Sequence, residues 1–181
     1  MTSENRTTFA VIDLETGGLK PAEHPILQVA VVLCNVIGRH MEIEHSWSSM
    51  VRLVPPWASI GAQHVHHISR RRLIFAPTLT QVMRRLHQSC EDRTIVAHNL
   101  AFDWSFLVAA HHTTGVPLPD GEHLCTLRRS RALDPQRAQT HRLADLCARY
   151  DVTFTDAHDA LADATATAQV LPHLLRAQAD G

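Results

Sequence analysis

Thr8-Phe9-Ala10-Val11-Ile12-Asp13-Leu14-Glu15 joins a short β-branched and apolar run to two carboxylates. The run predicts a strand from Thr8 to Asp13. Side chains alternate along a strand, so if it continues to Glu15, Asp13 and Glu15 point to one side and both reach the same cation. Two more such runs follow, Ile26 to Val36 and the alternating Met41 to Val54, which predict three consecutive strands with Gly38 in the second turn. Thr94 to Ala97 reads as a compact buried strand, and Asn99 as the cap of a helix running to about His111, ended by Gly115, Pro117 and Pro119. Thr78 to Ser89, Leu127 to Leu133, His141 to Tyr150 and Asp159 to Leu171 read as further helices, with a short strand near His123 to Thr126. Pro172 is expected to kink or stop the last helix. Strands first and helix-strand alternation afterwards indicate an α/β protein with a mixed sheet packed by helices. No internal repeat, low-complexity segment or linker interrupts the chain, so a single domain over 8–175 is expected, with a flexible N-terminal tail at 1–7 and a C-terminal tail at 176–181.

Bulk properties narrow the class. The 181 residues are 45% hydrophobic, enough for one sizeable core. A net charge of −1 leaves no basic tail to grip nucleic acid at large, so a polynucleotide would be held by a short end. Cys34, Cys90, Cys125 and Cys147 are scattered singly, which argues against a zinc ribbon or a disulfide framework. No apolar run approaches the ~20 residues of a membrane span, and Met1 to Thr8 is polar, so a cytoplasmic location without membrane association is expected.

Two other segments carry chemistry, His98-Asn99-Leu100-Ala101-Phe102-Asp103 and His158-Asp159-Ala160-Leu161-Ala162-Asp163. Asp103 falls one turn into the helix after Asn99, on the inward stripe with Phe106, Leu107 and Ala110, where a cation is the natural partner of a buried carboxylate. His158 and Asp163, five apart, would face different ways on one helix; His158 is therefore placed in the preceding loop and Asp163 in the opening turns. Carboxylate oxygens are hard ligands suited to Mg²⁺ or Mn²⁺, and two such ions can stabilise both oxygens of an in-line displacement at phosphorus. A separate histidine can take the proton of the attacking water. Singly, each segment also reads as ordinary structure: a solvated strand end, a first-turn acid, a capping segment. His98 and Asn99 read as a strand-end histidine and a cap, and the His64-x-His66-His67 and His111-His112 groups as surface or packing residues. The arginine groups Arg70-Arg71-Arg72, Arg84-Arg85 and Arg128-Arg129-x-Arg131 either track phosphates or lie on solvated helix faces, and the last is the preferred track.

Taken together and in order, these segments resemble the motifs of the DnaQ-like (DEDDh) 3′-to-5′ exonucleases, a family that includes the epsilon proofreading subunit of DNA polymerase III. Asp-x-Glu-Thr falls on Asp13, Glu15 and Thr16; His-Asn-x-x-Phe-Asp on His98 to Asp103; and His-x-Ala-x-x-Asp on His158, Ala160 and Asp163. Val65-His66-His67-Ile68 stands where the family often has a Val-His-Gly-Ile turn, with His67 in the usual place of glycine, and Gly17 stands where many members have Thr. The resemblance covers about Phe9 to Leu171 and implies a ribonuclease H-like fold. It also implies two ions per site: Asp13 bridges both, Glu15 and Asp163 complete the shell of one, and Asp103 supports the other, with His158 as the base. Thr16, Gly17, Leu19 and Phe102 occupy the family's places for holding the terminal nucleotide.

The implied reaction is metal-dependent hydrolysis of the terminal phosphodiester at a 3′ end, releasing nucleoside 5′-monophosphates. Single-stranded DNA is the expected substrate because the motif flanks look closer to proofreading enzymes; short RNA is the alternative, since no residue declares itself a sensor of the 2′-hydroxyl. A polymerase-associated subunit with little activity alone is a second alternative. Against that alternative, the residues after Leu171 are expected to provide little tail for such docking.

Overall fold

The computed structural model describes residues 7–37, 40–61, 63–154 and 158–176. Five strands, β1 (Thr7–Thr16), β2 (Ile26–Ile37), β3 (His40–Met50), β4 (Thr94–Ala97) and β5 (His123–Cys125), form one mixed sheet in the order β3-β2-β1-β4-β5. β1, β2 and β3 pair antiparallel, and β4 and β5 join parallel beside β1. The carboxyl ends of β1, β4 and β5 therefore lie along one edge of the sheet. The helices are α1 (Gln63–His66), α2 (Arg70–Ile74), α3 (Leu79–Ser89), α4 (Leu100–Thr114), α5 (Thr126–Ala132), α6 (Leu143–Arg149) and α7 (Ala160–Arg176). This is the single-domain, helix-flanked mixed sheet expected from the strand and helix pattern.

Strand periodicity divides the core into two layers. Phe9 and Val11 of β1 pack with Val32 of β2 against Ala160, Ala164, Ala168 and Leu171 of α7. Ala10, Ile12 and Leu14 face the other way, onto Val82, Met83 and Leu86 of α3 and Phe106, Leu107 and Ala110 of α4. Alanine at every fourth position gives α7 a small-residue stripe on which it can lie close to the sheet. Asp13 and Glu15 continue the row of Phe9 and Val11, and so emerge on the α7 side. α3 begins with a reciprocal cap: Thr78 Oγ1 accepts the Gln81 N–H at 3.3 Å, and Gln81 Oε1 accepts the Thr78 N–H at 2.8 Å.

Several expected boundaries shift. β1 runs on to Thr16, with an irregularity between Glu15 and Thr16. β3 stops at Met50, not Val54; Val51 N–H still reaches Leu27 O at 2.9 Å before Pro55 and Pro56 turn the chain away. Asn99 precedes α4 but makes no side-chain cap, its backbone standing at φ −122° and ψ 63°; the helix runs to Thr114 and closes on Gly115 at φ 69°. His141 lies outside α6 because its ring is buried against Ser130, and the helix begins at Leu143. Pro172 neither stops nor ends α7, which continues to Arg176. Leu171 and Leu174 are fully buried around it, and burial of about 1.5–3 kcal/mol for each such side chain offsets the ~3 kcal/mol cost of an interior proline. Thr7 and Arg176, expected in the tails, belong to β1 and α7. The rest of both tails, and the Gly38 turn, lie outside the described residues.

Candidate active site

Three elements bring the acidic residues together at the carboxyl end of β1. Asp13 and Glu15 lie opposite Ala30 and Gln28 on β2. Asp103 comes from the first turn of α4, on the opposite layer, and is buried beside Phe106, Leu107 and Ala110 as its stripe requires. Its Oδ1 accepts the Leu14 N–H at 3.2 Å, so the backbone between the two strand carboxylates holds the helix carboxylate in place. Asp163 stands in the first turn of α7, and His158 lies just before that helix, exposed and with φ 71°. One ligand atom from each of Glu15, His158 and Asp163 lies within 4.8 Å of the others.

Burial and mutual repulsion hold these carboxyls above the usual carboxylate range. Glu15 is pushed up to about 8, first by burial and then by Asp163, Asp159 and Asp103. Asp103 rises to about 7, again chiefly by burial, although its own N–H and that of Leu14 favour the ionised form. Asp163 rises to about 6 by burial, with the neighbouring His158 opposing the shift. Asp13 is raised well above its ordinary value by burial and by Asp103, Asp163 and Glu15 together. Oδ1 of Asp163 is buried without a hydrogen-bond partner among the described residues. A set of clustered oxygen donors, one of them unsatisfied, fits a divalent metal ion: bound positive charge would remove the repulsion and satisfy the orphaned oxygen.

Residues outside the expected metal set support this cluster. Gln28 is, with Asn35, one of two polar positions in the otherwise apolar β2, and its Nε2 donates to Asp159 Oδ2 at 3.3 Å. Oδ1 of Asp159 accepts the N–H groups of Leu161 and Ala162 at 3.0 and 3.3 Å, so Asp159 caps α7 while adding a fifth negative charge beside Glu15. Gly61, at φ 69°, lies so close to Gly17 that a Cβ built on it would overlap Gly17 O. That contact seats the loop preceding α1 against the acidic strand.

The remaining site residues fall around the cluster. Thr16 Oγ1 donates to Gly18 O at 2.7 Å and Gly17 N–H to Pro25 O at 2.9 Å, so both groups are engaged in the turn itself. Leu19 is 81% exposed. Phe102 is half-buried, its ring centroid 5.1 Å from that of Phe106. His98 lies within 3.0 Å of Thr126 Oγ1, and burial lowers its pKa to about 4, which leaves it neutral. His66 is buried: its Nδ1 accepts the Ile68 N–H at 3.0 Å, so Nε2 carries the proton and donates to Ile60 O at 2.9 Å. His67 adopts φ 52°, the left-handed backbone for which glycine is the usual choice. The arginine run on α5 divides, with Arg129 Nε donating to Leu174 O at 3.1 Å and Arg131 facing a different cavity from Arg128.

The architecture is shared with solved exonucleases. It matches E. coli Exonuclease I in complex with a dT13 oligonucleotide with a TM-score of 0.79 and 19% identity, covering 96% of this chain and 42% of that one. It matches Exonuclease X in complex with 5′ overhanging duplex DNA with a TM-score of 0.73 and 24% identity, covering 94% and 93%. The fold is thus that of the ribonuclease H-like exonucleases. Sequence comparison is more specific, because residues 10–171 match the family described as Exonuclease, RNase_T. The chain belongs to this family of DnaQ-like (DEDDh) 3′-to-5′ exonucleases. It is 28% identical over 169 residues to a PolC-type DNA polymerase III of Bacillus cereus, covering 93% of this chain and 11% of that protein. It is 34% identical over 180 residues to a provisionally named bifunctional exonuclease/endonuclease protein of Mycobacterium tuberculosis, covering 96% of this chain and 27% of that protein. The chain therefore corresponds to one part of these larger relatives.

Proposed function

We propose that this chain removes nucleotides from the 3′ end of single-stranded DNA, releasing nucleoside 5′-monophosphates with the help of two divalent ions, Mg²⁺ or Mn²⁺. The observation that carries the reading is the convergence of Asp13, Glu15, Asp103 and Asp163 from β1, α4 and α7, with His158 at the same opening. These four carboxylates would hold the ions, which when bound supply a nucleophile at neutral pH and offset negative charge at the reacting phosphate. Asp103 is held by the Leu14 N–H, and Asp159 fixes the start of α7, so the ligands are positioned before substrate arrives. His158 accepts the proton of the attacking water on a ring nitrogen; its exposed position beside Glu15 and Asp163 lets it exchange that proton with solvent. Leu19 and Phe102 offer apolar surface for the terminal base, and Thr16 and Gly17 shape the turn beneath it. DNA is favoured over RNA because the solved neighbours named above are complexes with DNA.

The test is a gel assay of 5′-labelled single-stranded DNA and matched RNA with Mg²⁺, with Mn²⁺ and with EDTA, alongside Asp13→Ala. A metal-dependent DNA ladder shortening from the 3′ end, absent in the variant, is expected. Equal or faster loss of the RNA would reassign the substrate. Intact strands throughout would favour the second reading, a subunit active only on a polymerase, which the PolC-type relative supports.

A further inference from the structure

A second cavity, of about 510 Å³, lies at the carboxyl ends of β4 and β5, next along the sheet edge from the acidic end of β1. His98 and Asn99 form part of its wall, and Arg131, Arg137, His141 and Arg142 line it from α5 and the loop leading to α6. Val11 pairs in parallel with Val96, so Asp13 and His98 each stand two residues beyond that pair, toward the same edge of the sheet. Among the described residues, none of the three guanidiniums is in an ion pair. The neighbouring acids have other partners. Asp134 accepts the N–H groups of Ala138 and Gln139 at 3.1 and 2.9 Å and stands 3.3 Å from His141 Nε2, while Asp145 accepts the Arg142 N–H at 3.3 Å. The loop is tied again by Ser130 Oγ, 2.8 Å from His141 Nδ1, and by Arg149, which donates to Thr140 O at 2.7 Å. The arginines thus project from a backbone already fixed, which lowers the cost of ordering them around an anion.

We propose that this cavity seats the phosphodiester backbone of the substrate strand on the 5′ side of its terminal nucleotide, an inference that rests on the exonuclease reading above. Three observations converge on it. An enzyme that takes a 3′ end into the β1 carboxylates must hold the strand upstream of that end, and this cavity lies beside that centre, where the segment after β4 leads into α4 and Asp103. The acidic cluster repels a polyanion, so an adjacent cationic site is needed to hold it, and the chain as a whole, at −1, supplies no general attraction. Guanidinium forks match phosphate oxygens in pairs and carry no preference for base or sugar, which suits a strand passing in every register.

The test is fluorescence anisotropy with 5′-labelled oligothymidylates, a dodecamer and a dinucleotide, in EDTA from low to physiological salt. R131A/R142A is expected to weaken the dodecamer by about tenfold or more and to reduce the slope of log affinity against log salt by about 1.4, two phosphates at ~0.7 each. The dinucleotide should lose much less. R131Q/R142Q removes the same charges while keeping polar stems, so a loss shared by both variants does not come from misfolding of one. R71A/R72A removes two exposed charges from α2 and should leave the dodecamer nearly unaffected. Equal loss in R71A/R72A, equal loss on the dinucleotide, or no dodecamer binding by the wild type would overturn the inference. A wild type that binds through these arginines but never shortens DNA with Mg²⁺ or Mn²⁺ would separate failure of the exonuclease reading from failure of this one.

Discussion

Asp103 ties stability to chemistry through a single side chain: it is buried in the α4 layer, it accepts the Leu14 N–H, and its pKa stands near 7. Carboxyls whose values are raised bind protons more tightly in the folded chain than in the unfolded one. Their stabilising contribution is therefore complete below about pH 4 and is lost as pH rises through the folded values. Those values are about 6 for Asp163, about 7 for Asp103 and about 8 for Glu15. Metal-free protein should accordingly melt at falling temperature between about pH 5.5 and about pH 8.5. Mg²⁺ or Mn²⁺ should restore the loss, and Asp103→Asn should flatten the metal-free profile. Thermal scans with EDTA and with metal check this, and a metal-free melting temperature constant across the range would contradict it. His158, exposed and ahead of α7, bears little on the core, so His158→Ala should melt like the wild type while kcat falls by about 10²–10⁴. A variant retaining near-full kcat would remove His158 from the mechanism.

Among the elements, β1 and α7 could be read from the sequence because their signals are local. Alternation along β1 places Asp13 and Glu15 on one side, and alanine spacing gives α7 its sheet-facing stripe. The seating of the loops on either side of α1 could not, since what orders them is the meeting of Gly61 with Gly17, forty-four residues apart in sequence, and the burial of His66 on Ile60 O and the Ile68 N–H. Pro172 does not stop α7 for a related reason: local propensity argues for a kink or a stop, while burial of Leu171 and Leu174 carries the helix on. Two glycines with the same φ of 69° separate strain from contact. Gly115 has open space where a Cβ would stand, so Gly115→Ala should lose only the left-handed penalty of about 1–2 kcal/mol. Gly61→Ala adds an overlap with the Gly17 carbonyl and should lose clearly more, together with activity, because the displaced backbone adjoins Glu15. Urea titrations of the two variants measure the difference, and equal losses would show that the Gly17 contact does not matter.

At the scale of the molecule, the strand order decides which residues become neighbours. Parallel addition of β4 and β5 beside β1 brings the carboxyl ends of the three strands to one edge, so the acidic centre and the arginine cavity lie next to each other along it. The carboxylates stand out in the sequence because each sits in a compact segment with a recognisable spacing. Of the cavity only Arg131 does, as the end of the arginine run on α5, because Arg137 and Arg142 come from a loop whose path is set by Asp134, Ser130 and Arg149. The central claim is that the β1 end is a metal centre, and calorimetric titration of Mn²⁺ into metal-free protein near neutral pH, in two buffers of different ionisation enthalpy, tests it most directly. Saturable binding of two ions per chain is predicted, with protons released as the raised carboxyls ionise, and with both signals reduced in Asp163→Asn. Absence of saturable binding, or an unchanged isotherm in Asp163→Asn, would contradict it.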